Sequence, residues 1–129
     1  GADVLLVTSG IMTAEGVKAR AVLAERGIAA AQLHMPTLQP FDSETLCACA
    51  EKARVVVNVD NHSVIGGLGS ATAETLADAG LGRKLVRLGV PDQFSRGAEM
   101  DILFRRYGIS GEAIAAAAEQ ALAKSGVGR

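Results

Sequence analysis

Short apolar runs alternate with segments of helical periodicity along this chain, and the alternation predicts four strands and four helices. Continuous apolar runs are typical of strands covered on both faces. The predicted strands are 4–7 (VLLV), 28–35 (IAAAQLHM), 54–59 (RVVVNV) and 84–90 (KLVRLGV). In the segments that follow them, apolar and small residues recur at helical spacing. The predicted helices are 14–26, a helix opening at Ser43, 68–79 and 111–124. A strand followed by a helix, repeated in this way, predicts a parallel sheet with helices on both faces, right-handed crossovers and a doubly wound layout.

Capping residues and glycines set the expected helix ends. Thr13 is predicted to cap the first helix and Ser110 the last, because a hydroxyl at this position accepts a hydrogen bond from a free backbone N–H. Gly27 and Gly80 are expected to end the first and third helices. A short amphipathic segment is expected at 100–107. The sequence contains no internal repeat, low-complexity tract or linker, so residues 1–129 are predicted to form a single domain.

Composition narrows the class of protein. Hydrophobic residues make up 49% of the chain but aromatic residues only 3%, so the core must be built from Ala, Val, Leu and Ile. Basic and acidic residues nearly balance, 13 against 14, which argues against a nucleic-acid or anionic-membrane surface. No apolar run approaches the roughly 20 residues of a membrane span, and no signal peptide is visible, so a cytoplasmic location is expected. Cys47 and Cys49 lie two apart on a predicted helix and are expected to be buried free thiols.

The glycine cluster after the third strand raises the question of a phosphate site. In Gly67-Leu68-Gly69-Ser70-Ala71-Thr72 the dinucleotide pattern G-x-G-x-x-G has two of its glycines, but Thr72 occupies the third place. No Lys follows, which excludes a Walker-type loop. Two interpretations stay open: the glycines permit a tight turn with the helix close under the strand, or the helix N-terminus accepts an anion through backbone N–H groups and Ser70. His62 or Ser63 could assist, although His62 is equally a turn residue.

Residues for catalysis are sparse. Asp60 ends the third strand, but the sequence places no second acid or base near it. Neither a Ser-His-Asp nor a Cys-His arrangement can be assembled. His34, at a strand end, is expected to be structural. We therefore predict no catalytic, cofactor-binding or metal-ligating residue in this chain.

The segment VVVNVDNHSVIGGLGSATAETLADAG resembles the C-terminal domain of transketolases, in which a strand ending in an acid is followed by a His, a Gly-Gly-(Leu/Phe)-Gly-Ser turn and a helix. Three further segments agree with that family in order and spacing: residues 3–46 (DVLLV to SETL), 85–94 (LVRLGVPDQF) and 104–114 (FRRYGISGEAI). Two positions depart from the family pattern. Asp60 stands where a Glu is usual, and the loop after the fourth strand reads Phe94-Ser95-Arg96-Gly97.

This resemblance implies a three-layer α/β/α sandwich. The four strands would be the parallel set of a five-stranded mixed sheet, in the order 2-1-3-4, and the antiparallel edge strand normally precedes the point where this chain begins. Ligand crevices in such sheets lie where the strand order reverses, here between the first and third strands. That position places Ser9 and Gly10 opposite His62 and the glycine turn. The full candidate anion site is Ser9, Gly10, His62, Ser63, Gly67, Gly69 and Ser70.

The resemblance also implies a function. Transketolases move a two-carbon ketol unit between sugar phosphates with thiamine diphosphate and a divalent metal, Mg²⁺. This chain would be their C-terminal domain, serving dimer assembly and support of the catalytic domains or subunit, in a homo-oligomer, with no cofactor of its own and no activity in isolation. Two alternatives stay open. One is the related domain of a 2-oxo-acid dehydrogenase beta subunit, a docking module, or of deoxyxylulose-phosphate synthase; the other is a small anion-binding regulatory module.

Overall fold

The computed structural model of this chain describes residues 2–9, 12–35, 42–60, 68–89 and 108–125. Strands and helices alternate along these residues as the hydrophobic pattern predicts. The strands are β1 (Val4–Thr8), β2 (Ala30–His34), β3 (Val55–Asp60) and β4 (Lys84–Gly89). The helices are α1 (Met12–Glu25), α2 (Ser43–Glu51), α3 (Leu68–Asp78) and α4 (Gly111–Ser125). The amphipathic segment expected at 100–107 lies outside the described residues.

The four strands form one parallel sheet in the order β2-β1-β3-β4. Val4 of β1 lies between Ala30 of β2 and Val55 of β3, which makes β1 and β3 the interior strands. The order 2-1-3-4 implied by the resemblance is therefore confirmed. The family's antiparallel edge strand is not among the strands in the described part of the chain, and it stays a prediction.

Helices cover the sheet on both faces and so create two hydrophobic cores. One core lies under α1 and α4, and its buried members include Val4, Leu6, Leu23, Val55, Val57, Ile109 and Ile114. The other lies under α2 and α3, and its buried members include Leu5, Val7, Leu46, Val56, Leu68 and Leu76. Each fully buried aliphatic side chain contributes about 1.5–3 kcal/mol to stability. The three-layer arrangement and the aliphatic core expected from the composition are both present.

The start of α1 differs from the sequence prediction. Thr13 is not the N-cap, because α1 begins at Met12 and Thr13 already lies in its first turn. Its hydroxyl pairs instead with Nδ1 of His34 at 2.7 Å, across to the end of β2. The Thr13 hydroxyl, which the local pattern assigned to the N-cap of α1, therefore forms a hydrogen bond with a residue of another element instead.

The start of α4 agrees with the prediction and adds a long-range contact. Ser110 caps this helix, since its Oγ accepts a hydrogen bond from Ala113 N at 3.3 Å. The N–H of Gly111 donates to Oε1 of Glu15 in α1 at 2.9 Å. Glu15 is buried, and its other carboxylate oxygen accepts from Lys18 Nζ at 3.0 Å. A carboxylate from α1 therefore meets the positive end of the α4 dipole.

The two cysteines are free thiols, but the prediction that they are buried is wrong. Both Cys47 and Cys49 are partly exposed. The reason is the orientation of α2, which presents Leu46 and Ala50 to the sheet and leaves the two cysteines on its flanks.

Among the residues that the structure describes, no helix has both the length and the apolar character needed to cross a membrane.

Candidate functional site

The candidate site lies at the edge of the sheet where the parallel strands end. Thr8, the last residue of β1, is the register partner of Val59, so β1 and β3 end side by side. Ser9 follows β1 directly, and α3 begins at Leu68 after β3. This edge is the place where doubly wound sheets bind ligands, because the strand order reverses between these two strands.

Three of the seven predicted site residues fall within the described part of the chain. Gly69 and Ser70 lie in the first turn of α3, and Ser9 lies at the end of β1, where its carbonyl accepts a hydrogen bond from Met12 N at 3.2 Å. The other four lie outside the described residues: Gly10, His62, Ser63 and Gly67. The site as a whole therefore stays a prediction, while the structure describes the surroundings of Gly69 and Ser70.

Gly69 is required by close packing of α3 against the sheet. A Cβ at this position would lie 2.7 Å from Nε of Arg87 and 3.2 Å from Nδ2 of Asn58. The second distance matters more, because Asn58 is buried in the interior strand whereas Arg87 is a flexible, exposed side chain. This observation favours the packing interpretation for Gly69, since the missing side chain lets the helix start lie close to β3 and β4.

Polar side chains from three elements meet under Gly69. Asn58 of β3 and Arg87 of β4 are register partners, so they project to the same face of the sheet. Thr72 in the next turn of α3 donates its hydroxyl proton to Oδ1 of Asn58 at 3.3 Å. This hydrogen bond satisfies part of the buried amide, whose exposed fraction is 1%.

Arg87 brings a positive charge to the beginning of α3. Its Nη2 donates to Ser70 Oγ at 2.9 Å. The guanidinium therefore lies beside the positive end of the α3 dipole, and two positive potentials at one place attract an anion. Sequence reasoning missed Arg87. The available signal was a charged residue within the apolar run of β4, between Val86 and Leu88.

A second polar cluster joins β1, β2 and α1 at the same edge. Gln32 Nε2 donates to Thr8 Oγ1 at 3.1 Å and to the carbonyl of Thr13 at 3.0 Å. Gly16 makes room for this amide, because a Cβ there would lie 2.5 Å from Gln32 Nε2. Together with the hydrogen bond between His34 and Thr13, these bonds connect α1 to β2. They agree with the structural role expected for His34.

The residues of the described part do not fit a divalent metal ion. Nowhere among them do three or more His, Cys, Asp or Glu side chains come together as a ligand set. We therefore assign none of these residues to the holding of thiamine diphosphate and its metal.

These features define a doubly wound α/β/α domain with a polar, glycine-containing helix start at its topological switch point. Comparison with known proteins gives the family. The family model described as "Transketolase, C-terminal domain" matches residues 1–114. The chain belongs to this family.

Relatives of known description are similar over most of the chain. A "Putative transketolase C-terminal section" from Methanocaldococcus jannaschii is 40% identical over 115 residues, which cover 89% of this chain and 35% of the relative. A "1-deoxy-D-xylulose-5-phosphate synthase" from Syntrophotalea carbinolica is 37% identical over 116 residues, covering 90% of this chain and 18% of that enzyme. The solved structure "Split gene transketolase, inactive beta4 tetramer" has a TM-score of 0.86 at 40% identity, covering 95% of this chain and 40% of that one. This chain therefore spans less than half the length of each of these three proteins.

Proposed function

We propose that this chain acts as the C-terminal domain of a transketolase, an enzyme that transfers two-carbon ketol units between sugar phosphates. One observation carries the proposal: the family match over residues 1–114 coincides with a relative described as a transketolase C-terminal section. The similarity to a split-gene transketolase supports it, because that protein divides the enzyme between separate polypeptides.

The proposed role of the domain is assembly and support of the catalytic part. Its partners would be the catalytic domains or subunit of the same enzyme, in a cytoplasmic homo-oligomer, with a dimer as the simplest form. The match of residues 1–114 to a family model described as the C-terminal domain of transketolase supports this role.

The cofactor of the parent enzyme would be thiamine diphosphate with Mg²⁺. When bound, thiamine diphosphate stabilises the carbanion that carries the ketol unit. In our proposal the other domains hold it, and this chain alone is inactive. Calorimetric titration of the isolated chain with thiamine diphosphate and Mg²⁺ should then give no binding heat.

The decisive experiment is to express this chain together with the coding sequence that adjoins it in its genome. The purified product should transfer a ketol unit from xylulose 5-phosphate to ribose 5-phosphate when thiamine diphosphate and Mg²⁺ are added. The same preparation without residues 1–129 is the control for the role of the domain, and its assembly by light scattering should be impaired. A product that assembles without this chain and retains full activity would refute the supporting role.

Deoxyxylulose-phosphate synthase is the second candidate, because the comparison with the Syntrophotalea carbinolica enzyme covers 90% of this chain. The two candidates differ in the reaction of the product. Release of CO₂ from pyruvate in the presence of glyceraldehyde 3-phosphate, without ketol transfer between sugar phosphates, would assign the synthase instead.

The anion site at the start of α3 is a separate proposal. The contact between Arg87 and Ser70 favours it, since the guanidinium adds a charge that the sequence-based site lacked. Pyrophosphate titration followed by nuclear magnetic resonance should move the amide signals of Gly69 and Ser70, and Arg87→Gln should weaken that response. Unchanged signals at these amides would leave the glycines with their packing role alone.

A further inference from the structure

A basic cleft lies at the opposite end of the sheet from the start of α3. It is open, has a volume of about 710 Å³ and is formed where α2 ends and where β3 and β4 begin. The cleft is lined by Glu51, Lys52, Ala53, Arg54, Gly82, Arg83 and Lys84. Four of these side chains are basic and one is acidic, whereas the whole chain carries a formal net charge of −1. The positive charge is thus concentrated at this place.

Part of this charge has a structural explanation. Arg83 Nε donates to the carbonyls of Ala50 and Ala53 at 3.2 and 2.8 Å, and its Nη2 donates to the carbonyl of Glu51 at 3.1 Å. Arg83 therefore satisfies the free carbonyls at the end of α2, and a basic residue there is also favoured by the helix dipole. Lys52 stands at the same helix end. Neither the pairing of the helix carbonyls nor the helix dipole explains the other two basic residues, Arg54 and Lys84.

Arg54 is incompletely paired among the residues that the structure describes. Its Nη1 lies 3.8 Å from Asp3 Oδ1, and its Nη2 is shielded from solvent without a hydrogen-bond partner. A guanidinium has five N–H donors and forms its strongest contacts as a planar fork with a carboxylate. Lys84 begins the neighbouring strand as the register partner of Val55, next to Arg54, and its side chain is exposed. Donor groups here exceed the acceptors that the described residues supply.

The chemistry of the cleft favours carboxylates on a polypeptide over a small phosphate. Phosphate sites at helix ends use the backbone N–H groups of a helix start, whereas the helix end in this cleft is the carboxyl-terminal end of α2. The Glu51 carboxylate repels every anion beside it, and a compact dianion more strongly than a single carboxylate. An extended acidic segment can place single carboxylates beside Arg54 and Lys84 while its backbone passes Glu51, and an open cleft admits it.

We infer that this cleft is a docking surface for an acidic segment, rich in Asp and Glu, on a partner polypeptide. The inference rests on the proposed function only in expecting that a partner polypeptide exists. Docking places carboxylates beside the solvent-exposed part of the Arg54 side chain and beside the exposed Lys84 side chain. It also fixes the amino-terminal end of the sheet against the partner and leaves the carboxyl-terminal edge open.

The test uses the 129-residue chain and a fluorescein-labelled poly-glutamate peptide, with fluorescence anisotropy at low ionic strength. The double variant Arg54→Gln/Lys84→Gln should bind the peptide about 2- to 30-fold more weakly than the unchanged chain, because two charge contacts are lost. The matched control is Arg20→Gln/Lys124→Gln, which removes the same charge from exposed positions on α1 and α4. The control should keep its affinity.

Three outcomes would overturn the inference: no peptide binding, equal weakening in both double variants, or competition by pyrophosphate at lower concentration than by the unlabelled peptide. If circular dichroism shows that Arg54→Gln unfolds the chain, the single variant Lys84→Gln decides, since its exposed side chain can be changed without disturbing the core. Its affinity must then fall while that of Lys124→Gln does not.

The result of the peptide-binding test is independent of the assay for ketol transfer. A product that transfers ketol units but whose cleft binds no acidic peptide refutes this inference alone. A chain that binds the peptide through Arg54 and Lys84, in a product that catalyses neither reaction, refutes the proposed function alone.

Discussion

At the scale of single residues, the contact between α1 and α4 depends on a glycine and a buried carboxylate. Gly111 lies directly against α1, where a Cβ would stand 2.6 Å from Cβ of Lys18 and 3.3 Å from the carbonyl oxygen of Glu15. These neighbours cannot move aside, because one is the base of a side chain and the other is backbone. The Glu15 carboxylate reaches the Gly111 N–H only because the helices approach this closely.

Replacing Gly111 by Ala should therefore lower the free energy of unfolding. We expect a loss of about 1–3 kcal/mol from overpacking, partly offset by the higher helix propensity of Ala. Urea denaturation measures it. Gly82→Ala is the matched control, because a Cβ at Gly82 has no atom within 4 Å, and its effect should stay within about 0.5 kcal/mol. Equal midpoints for the two variants would contradict the close helix contact.

At the scale of elements, α2 is a short helix whose two ends are fastened by different means. Asp42 is its N-cap: Oδ1 accepts from Thr45 N at 3.1 Å and Oδ2 from the Thr45 hydroxyl at 2.6 Å. At the other end of α2, Arg83, which directly precedes β4, donates hydrogen bonds to carbonyl oxygens at the end of the helix. Because isolated helices of this length are marginal in water, these contacts and the packed face of Leu46 and Ala50 hold the helix in place.

The cap makes the stability of the chain depend on pH. The hydroxyl of Thr45, and then its backbone N–H, lower the pKa of Asp42 below its ordinary value of 3.8. A lowered carboxyl pKa in the folded state contributes stability that is complete above the ordinary value and is lost as the pH falls through the lowered one.

We expect Asp42→Asn to remove this contribution, since Asn still caps a helix but does not titrate. The difference in Tm between the unchanged chain and the variant should be constant above pH 3.8 and should shift in favour of the variant in more acidic solution. Thermal unfolding followed by circular dichroism across this range is the measurement. Parallel curves down to the most acidic buffer would show that the cap is not formed in solution.

At the scale of the whole molecule, the sheet has two interior and two outer strands. β1 and β3 are hydrogen-bonded on both sides and buried under helices on both faces, while β2 and β4 have one neighbour each in the described part of the chain. The outer strands are also less buried than β1. Stability is thus concentrated in the centre of the sheet.

Hydrogen exchange should reveal this difference in stability between the interior and the outer strands. Amides of β1 and β3 should exchange only through global unfolding, and the outward-facing amides of β2 and β4 should exchange faster. Mass spectrometry of deuterium uptake in the 129-residue chain measures both. If β2 exchanged as slowly as β1, another segment would have to cover its outer edge, as expected of the antiparallel strand that the resemblance implies.

The parts of this structure that follow a local period could be predicted, and those that join distant residues could not. The runs VLLV and RVVVNV indicate strands because burial on both faces requires every position to be apolar. The hydroxyl of Thr13 was misassigned because its partner His34 lies 21 positions away. Likewise, the positions of Arg87 and Gly69 depend on the register of β3 with β4, which no local pattern specifies.

The sequence by itself determined the four strand–helix units, the parallel sheet, the aliphatic core and the family. Hydrophobic periodicity and motif order are properties of the linear sequence, so they can be recognised without the fold. Only the tertiary structure decided which side chains meet. Glu15 caps a helix that begins 96 positions later. Arg54 and Lys84 line one cleft because β3 and β4 are neighbours. Such contacts depend on how the crossovers bring strand ends together, and that geometry exists only in the folded molecule.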